Sequence, residues 1–223
     1  MRNILTLILI LVISTAFGQK ITEEASSHAG ELSWGVRSTG SIFSESGSYF
    51  GIGAGFQVRY RVTDHLGSEW FADWITTDIG GVGQRTDAHI GVSTIIYPGK
   101  SLNQKGSFTP YVMGGFCGDY TKITSNLSYD DIADSYTQDS KDRWSFATQL
   151  GLGTHYNITE TVDISLSTQY VLHFGADIDS EIETNSNGEE YLHIHHDNNN
   201  SLEGHWFLTL SVNFVIIDLI KKR

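Results

Sequence analysis

Eight segments of this 223-residue chain alternate between large apolar side chains and small or polar ones. The clearest of them, FGIGAGFQVRYRV, starts at Phe50 and is apolar at every second position, with glycine, glutamine or arginine between. A period of two places the apolar residues on one face of an extended strand. Since each segment has roughly ten residues or more, the sequence predicts an all-β protein of eight long strands.

The two faces of these strands differ strongly in volume. The interior of an eight-stranded barrel is just wide enough to be filled by side chains. The apolar face carries too many rings to fit there: Trp34, Phe50, Phe56, Tyr60, Trp70, Trp74, Phe116, Tyr120, Trp144, Phe146, Tyr156, Tyr170, Phe174, Trp206 and Phe214. The opposite face is rich in glycine and serine and has few charges, which suits a crowded lumen. We therefore expect the apolar face to contact lipid and the face rich in glycine and serine to point inward.

The N-terminal residues predict export. Residues 1–18 read MRNILTLILILVISTAFG, with one basic residue, a short apolar run and small residues before Gln19. This is the pattern of a cleaved secretory signal peptide, and the apolar run is short for a membrane-spanning helix. The remaining chain is predicted to comprise a lead-in at 19–28, a barrel at 29–216 and a short basic tail at 217–223.

The predicted connections differ in length. Those near 63–66 and 157–161 are short, whereas those at about 121–143 and 175–204 are long, polar and acidic. Short turns at one end and long loops at the other are typical of bacterial outer-membrane barrels, whose chain ends lie on the periplasmic side. The acidic loops are expected to be mostly solvated surface.

Composition excludes some partners. The formal net charge of −12 makes nucleic acid an unsuitable partner. The single cysteine, Cys117, cannot form an internal disulfide and is expected to pack as a small apolar residue. No motif predicts a cofactor.

Residues 29–214 resemble the small outer-membrane β-barrel family of outer-membrane-protein-A-like and opacity-protein-like proteins. The resemblance rests on the alternation, the signal peptide and the last segment, WFLTLSVNF. It implies an eight-stranded antiparallel up-and-down transmembrane barrel in the outer membrane, in contact with lipid and lipopolysaccharide. It also implies insertion by the outer-membrane assembly machinery through a terminal signal at Trp206, Leu208, Leu210, Val212 and Phe214. Family members usually end at this aromatic residue, whereas VIIDLIKKR follows Phe214 here.

Several charged residues fall on strand positions that are predicted to point inward. They form a candidate lumen cluster, which comprises Arg37, Arg59, Arg61, Glu69 and Asp73. A tight turn joins two of the strands, so Glu69 is expected opposite Arg59 or Arg61. A structural plug of compensating charges is favoured over an ion path.

A second candidate site lies in the segment EEYLHIHHDNNNSLEGH. His193, His195, His196 and Asp197 are close in sequence, and the first two share a side if the segment is extended. A surface site for zinc or copper is geometrically possible there. The alternative is a solvated polar loop.

The resulting functional prediction is a non-enzymatic barrel with a filled lumen, which acts in envelope structure and in surface interaction through its acidic loops. One alternative is a lipid-modifying enzyme of the lipid A deacylase or acyltransferase type, for which His173 with Ser165 or Ser167 would be the candidate residues. Another is a soluble, secreted, ligand-binding barrel.

Overall fold

The computed structural model describes residues 28–43, 49–99, 105–130, 135–175, 177–197 and 203–219. The predicted signal peptide, most of the lead-in and the last residues of the tail lie outside these ranges. No helix in the described part of the chain is long and apolar enough to cross a membrane.

Eight long strands form one closed barrel. They are β1 (Glu31–Phe43), β2 (Phe50–Arg61), β3 (Leu66–Ile79), β4 (Gly83–Ile96), β5 (Phe108–Ser125), β8 (Ser140–Asn157), β9 (Val162–Phe174) and β12 (Glu203–Asp218). Each is antiparallel to its neighbours, and the order β1-β12-β9-β8-β5-β4-β3-β2 closes because β12 pairs with β1. Closure leaves no strand edge unpaired, as a strand structure in lipid requires. The predicted eight-stranded antiparallel barrel is confirmed.

Side-chain burial alternates along the barrel strands as the sequence predicts. On β3, Trp70 and Trp74 are 48% and 57% exposed, while the intervening Glu69 and Asp73 are each 4% exposed. A protein in water would place the tryptophans inside and the acids outside. The opposite arrangement is the one expected when the outer solvent is hydrocarbon. The predicted orientation of the two faces is therefore confirmed.

The two ends of the barrel differ. One end, the terminal rim, contains the start of β1, the end of β12 and the turns at 62–65 and 158–161. The opposite end, the hairpin rim, contains two additional short hairpins, β6 (Ser128–Asp130) with β7 (Ser135–Thr137), and β10 (Asp177–Thr184) with β11 (Glu190–Asp197). Not every connection at the hairpin rim is long. β3 and β4 are joined there by a tight turn in which Gly80 and Gly81 have positive φ.

Within the predicted acidic loop at about 175–204, the β10–β11 hairpin is mostly exposed, but one of its faces is packed against the barrel. Ile178, Leu192 and Ile194 of the hairpin are buried against Ile79 and Ile123, which project from the ends of β3 and β5. The Lys141 ammonium also donates a hydrogen bond to the carbonyl of Ile194. The hairpin therefore packs its apolar face on the hairpin rim and leaves its acidic face exposed.

Inward-facing glycines allow close contact between neighbouring strands. A Cβ added at Gly115 of β5 would overlap the Val92 carbonyl oxygen and lie 2.7 Å from the Ser93 Cα of β4. At the outward-facing Gly114 the nearest atom would be Leu150 Cδ1 at an ordinary 3.6 Å. The two adjacent glycines thus differ in what surrounds them.

We expect Gly115→Ala to lower the free energy of unfolding by about 1–3 kcal/mol, because the added methyl group forces two backbone segments apart. The matched variant Gly114→Ala should change it by less than about 0.5 kcal/mol. Urea unfolding of each refolded barrel in lipid vesicles measures both values. Equal effects at the two positions would contradict the inward packing of Gly115.

Candidate functional site: the barrel lumen

Four of the five predicted lumen charges lie together. Arg59 of β2 is in register with Glu69 of β3, and Arg59 Nη2 lies 2.9 Å from Glu69 Oε2. Arg37 Nε lies 3.0 Å from Asp73 Oδ1, and Arg37 Nη1 lies 3.5 Å from Glu69 Oε1. We call Arg37, Arg59, Glu69 and Asp73 the charge network. Its side chains are nearly inaccessible to solvent, so each charge depends on its partner for compensation.

The network also reaches across the barrel. Arg59 Nη1 lies 3.7 Å from Asp163 Oδ1 of β9, a strand that does not neighbour β2. Beside this contact, Gln57 donates a hydrogen bond to Asn213 Oδ1 of β12 at 2.5 Å. Asp163, which contacts the network from outside it, was not singled out by the alternation of the sequence alone. The alternation of the sequence places Asp163 on the inner face, but it does not show which strand Asp163 faces across the lumen.

Arg61, the fifth predicted member, lies outside the charge network. Its guanidinium stacks on the Tyr97 ring, with 3.9 Å from the Arg61 Cζ to the ring centroid. The Tyr97 hydroxyl lies 3.2 Å from His155 Nε2, and the His155 ring stacks on Tyr111. Arg61 therefore belongs to an aromatic group near the terminal rim, where a cation–π contact stabilises its charge.

An apolar layer separates parts of the polar lumen. It comprises Phe71, Ile75, Cys117, Ala147, Val171 and Phe207. Cys117 is buried there, as its parity predicts. The lumen is thus less uniformly polar than the glycine and serine pattern suggests.

A group of three buried histidines lies in the half of the lumen nearer the hairpin rim. One ring nitrogen from each of His89, His173 and His205 lies within 4.8 Å of the other two. His173 Nε2 and His205 Nε2 are 3.2 Å apart. Asp119 contacts two of the rings, with its Oδ1 2.9 Å from His89 Nε2 and its Oδ2 2.9 Å from His173 Nδ1. We call these three histidines and Asp119 the histidine cluster.

Sequence reasoning missed the histidine cluster. His89, His173 and His205 stand alone on β4, β9 and β12, far apart in the chain. What they share in the sequence is an inward-pointing position in the half of the barrel nearer the hairpin rim. Only the closed strand order shows that β4 and β12 lie on opposite walls, with β9 next to β12.

The serines proposed as nucleophile candidates do not lie beside His173. Ser165 instead contacts His155, with 2.6 Å between the Ser165 hydroxyl oxygen and His155 Nδ1. The serine that does approach His173 is Ser145, whose hydroxyl oxygen lies 3.3 Å from His173 Nδ1. Asp119 Oδ2 contacts the same nitrogen, at 2.9 Å. A nucleophile–base–acid relay needs the serine and the acid on different ring nitrogens, so this arrangement is not one.

The predicted metal ligands of the acidic loop lie on the β10–β11 hairpin. His193 and His195 share its exposed face, as an extended segment predicts, and their ring centroids are 5.9 Å apart. They lie opposite Glu181 and Asp179 in register, and His195 Nε2 is 3.9 Å from Asp179 Oδ2. The side chains of His196 and Asp197 lie outside the described part of the structure.

The outward face of β12 carries the predicted assembly residues. Trp206, Leu208, Leu210 and Phe214 are exposed on the barrel exterior, and Val212 is half-exposed. The strand continues beyond this segment to Asp218, which pairs with Glu31 of β1.

Comparison with known families decides the identity of this architecture. The family model described as "Outer membrane protein beta-barrel domain" matches residues 5–216. The chain belongs to this family. It is therefore an outer-membrane barrel, and its exposed apolar band is the surface that spans the bilayer.

Several solved structures are similar to this outer-membrane barrel. Neisserial surface protein A is 15% identical, with a TM-score of 0.50, and the match covers 86% of this chain and 99% of that one. The N-terminal barrel domain of Pseudomonas aeruginosa OprF is 18% identical, with a TM-score of 0.42, over 82% of this chain and 97% of that one. The Escherichia coli outer membrane protein W is 20% identical, with a TM-score of 0.39, over 84% and 98%. No curated protein sequence matches the chain.

Proposed function

We propose that this outer-membrane barrel is a non-enzymatic envelope protein whose lumen is closed to diffusion and whose loops at the hairpin rim make surface contacts. The observation that carries the proposal is the charge network together with its contact to Asp163, since these buried charges lie in the lumen and Arg59 reaches from β2 to β9. The apolar layer adds buried side chains to the lumen, and the β10–β11 hairpin packs on the hairpin rim. The bound partners of the outer surface are lipid and lipopolysaccharide.

Export and insertion complete the proposal. The signal peptide is removed before Gln19, and the assembly machinery recognises the outward face of β12. The terminal rim then faces the periplasm, and the hairpin rim faces outward. Nucleic acid is not a partner of this acidic chain.

The surface role is assigned to the exposed face of the β10–β11 hairpin. Glu181 and Glu183 are exposed on this face, and Glu189 and Glu190 are exposed at the tip of the hairpin, so the hairpin presents a dense negative surface. Negative charge in this position favours partners with basic patches or bridging divalent cations. A binding screen with the full barrel and with a variant lacking residues 177–197 tests the assignment, since loss of binding in the variant alone supports it.

The closed lumen predicts electrical behaviour. We expect the refolded protein to give no steady single-channel conductance in planar bilayers, because charged and apolar side chains occupy the passage. The variant lacking residues 177–197 should also stay closed, since the charge network remains. A general porin reconstituted in parallel serves as the positive control. A stable open level in the unmodified protein would contradict the proposal.

The absence of a relay at His173 supports the non-enzymatic assignment. Its test is release of fatty acid from lipopolysaccharide by the purified barrel. Release that is lost on His173→Gln or Ser145→Ala would replace this assignment with a lipid-modifying activity.

A further inference from the structure

We propose that the histidine cluster is a binding site for one late first-row transition-metal ion such as Zn²⁺, held between opposite walls of the barrel. His89, His173 and His205 are the ligands, and Asp119 positions the first two. This site is separate from the surface histidines of the β10–β11 hairpin, and it does not depend on the proposed surface role.

The spacing of the ring nitrogens fits one ion. Zinc–nitrogen bonds of about 2.0–2.1 Å in a tetrahedral site place neighbouring ligand nitrogens about 3.3 Å apart. His173 Nε2 and His205 Nε2 are 3.2 Å apart, and one nitrogen of His89 lies within 4.8 Å of both ligand atoms. To complete three ligands around one point, the His89 nitrogen would have to approach the other two by up to about 1.5 Å.

Asp119 provides the support that a histidine ligand needs. Metal-binding imidazoles usually place their second nitrogen against a carboxylate, which fixes the tautomer and the ring orientation. Asp119 Oδ2 lies 2.9 Å from His173 Nδ1, so Nδ1 holds the proton and the lone pair of Nε2 points toward His205. The same carboxylate lies 2.9 Å from His89 Nε2 and supplies one negative charge beside the ion.

Hydrogen bonding among the rings does not account for the whole cluster. Only one proton can lie between His173 Nε2 and His205 Nε2, so this contact satisfies one pair of nitrogens at most. Within the described part of the chain, His89 Nδ1 has no hydrogen-bond partner although the ring is fully buried. A buried nitrogen without a partner is costly, and an ion provides one.

The chemistry of the ligands selects the class of metal. Imidazole nitrogen suits Zn²⁺, Cu²⁺, Ni²⁺ and Co²⁺, whereas Ca²⁺ and Mg²⁺ require a set of oxygen ligands. Phe207 packs edge-on against His89 at 5.0 Å between centroids and also contacts His205. This apolar side chain restricts water around the site, as is common for metal centres.

Binding would join distant parts of the barrel. His89 is on β4 and His205 is on β12, which stand four positions apart in the closed order of eight strands. An ion that binds only the folded barrel stabilises it in proportion to the logarithm of the ion concentration over its dissociation constant. We therefore expect Zn²⁺ to raise the unfolding midpoint as well as to bind.

The test uses the full-length barrel refolded in detergent micelles and stripped of metal with a chelator. Titration with Co²⁺, followed by visible absorption, should give one site per chain, and Zn²⁺ should displace the cobalt. His173→Gln and His205→Gln should each weaken binding by at least roughly 100-fold, and Asp119→Asn by roughly 10- to 100-fold, because it acts through the rings. Heat-modifiable migration on gels verifies that each variant has folded.

Two matched controls locate the site. His155→Gln removes a buried lumen histidine outside the cluster, and the double variant His193→Ala/His195→Ala removes the exposed pair on the hairpin. Both should retain full affinity. X-ray absorption at the zinc edge of the unmodified, zinc-loaded protein should show three imidazole ligands. This measurement gives a readout even where a cluster variant fails to fold.

Three results would overturn the proposal. They are no Co²⁺ or Zn²⁺ binding by the unmodified barrel, full affinity in folded His173→Gln and His205→Gln, or loss of binding confined to the hairpin variant. The last result would place the site on the surface of the hairpin.

Discussion

Replacing Glu69 with leucine should lower the free energy of unfolding by about 3–5 kcal/mol, the usual cost of leaving a buried charge without its partner. Arg59 would lose its nearer carboxylate, at 2.9 Å, and keep only Asp163, at 3.7 Å. Arg37 would lose one of its two acids. Urea unfolding of the refolded barrel in lipid vesicles measures the effect.

A double variant separates lost compensation from general disruption. Arg59→Met combined with Glu69→Leu removes both charges, and we expect it to recover much of the lost stability, since no uncompensated charge remains at that pair. Glu190→Leu changes an exposed acid on the hairpin and should have little effect. A cost below about 1 kcal/mol for Glu69→Leu alone would show that the charge network is well hydrated.

Leu210→Arg should destabilise the barrel by about 2–4 kcal/mol, the cost of an arginine at the midplane of a bilayer. Leu210 is 52% exposed on the outward face of β12, near the middle of that strand. Its exposure would make such a change nearly neutral if water surrounded the barrel. The change in unfolding free energy in vesicles therefore depends on what the outer face contacts.

Ile182→Arg is the matched control for this variant. Ile182 is 40% exposed, on β10 of the hairpin rather than on a barrel strand. We expect a change of less than about 0.5 kcal/mol there, because the proposed function places the hairpin outside the membrane. Similar costs at Leu210 and Ile182 would argue against a lipid-facing exterior.

The strands and their orientation could be predicted because both are local properties of the sequence. Alternation such as that from Phe50 to Val62 determines which residues share a face, and the volume of the rings determines which face is outside. The pairing of Glu69 with Arg59 or Arg61 followed from the tight turn between β2 and β3, and the observed register is with Arg59. Local pattern and turn length were enough for these features.

Contacts between strands that are not neighbours could not be predicted in this way. The meeting of His89 with His205 depends on barrel closure and on the stagger of eight strands, which no single segment encodes. The β10–β11 hairpin was hidden for another reason. Its acids suggested a solvated loop, although Ile178, Leu192 and Ile194 mark an apolar face and Gly188 adopts the positive φ of a turn.

The orientation of the two faces is tested most directly by spin labels along β12. Single cysteines at positions 208 to 213, in a Cys117→Ser background, carry the label in vesicles, and collision with oxygen and with a water-soluble nickel complex reports the surroundings. We predict high oxygen accessibility at 208, 210 and 212, low accessibility to both reagents at 209, 211 and 213, and no nickel contact on the outer face. Oxygen accessibility at the inward positions, or nickel contact at 208, 210 and 212, would contradict the account.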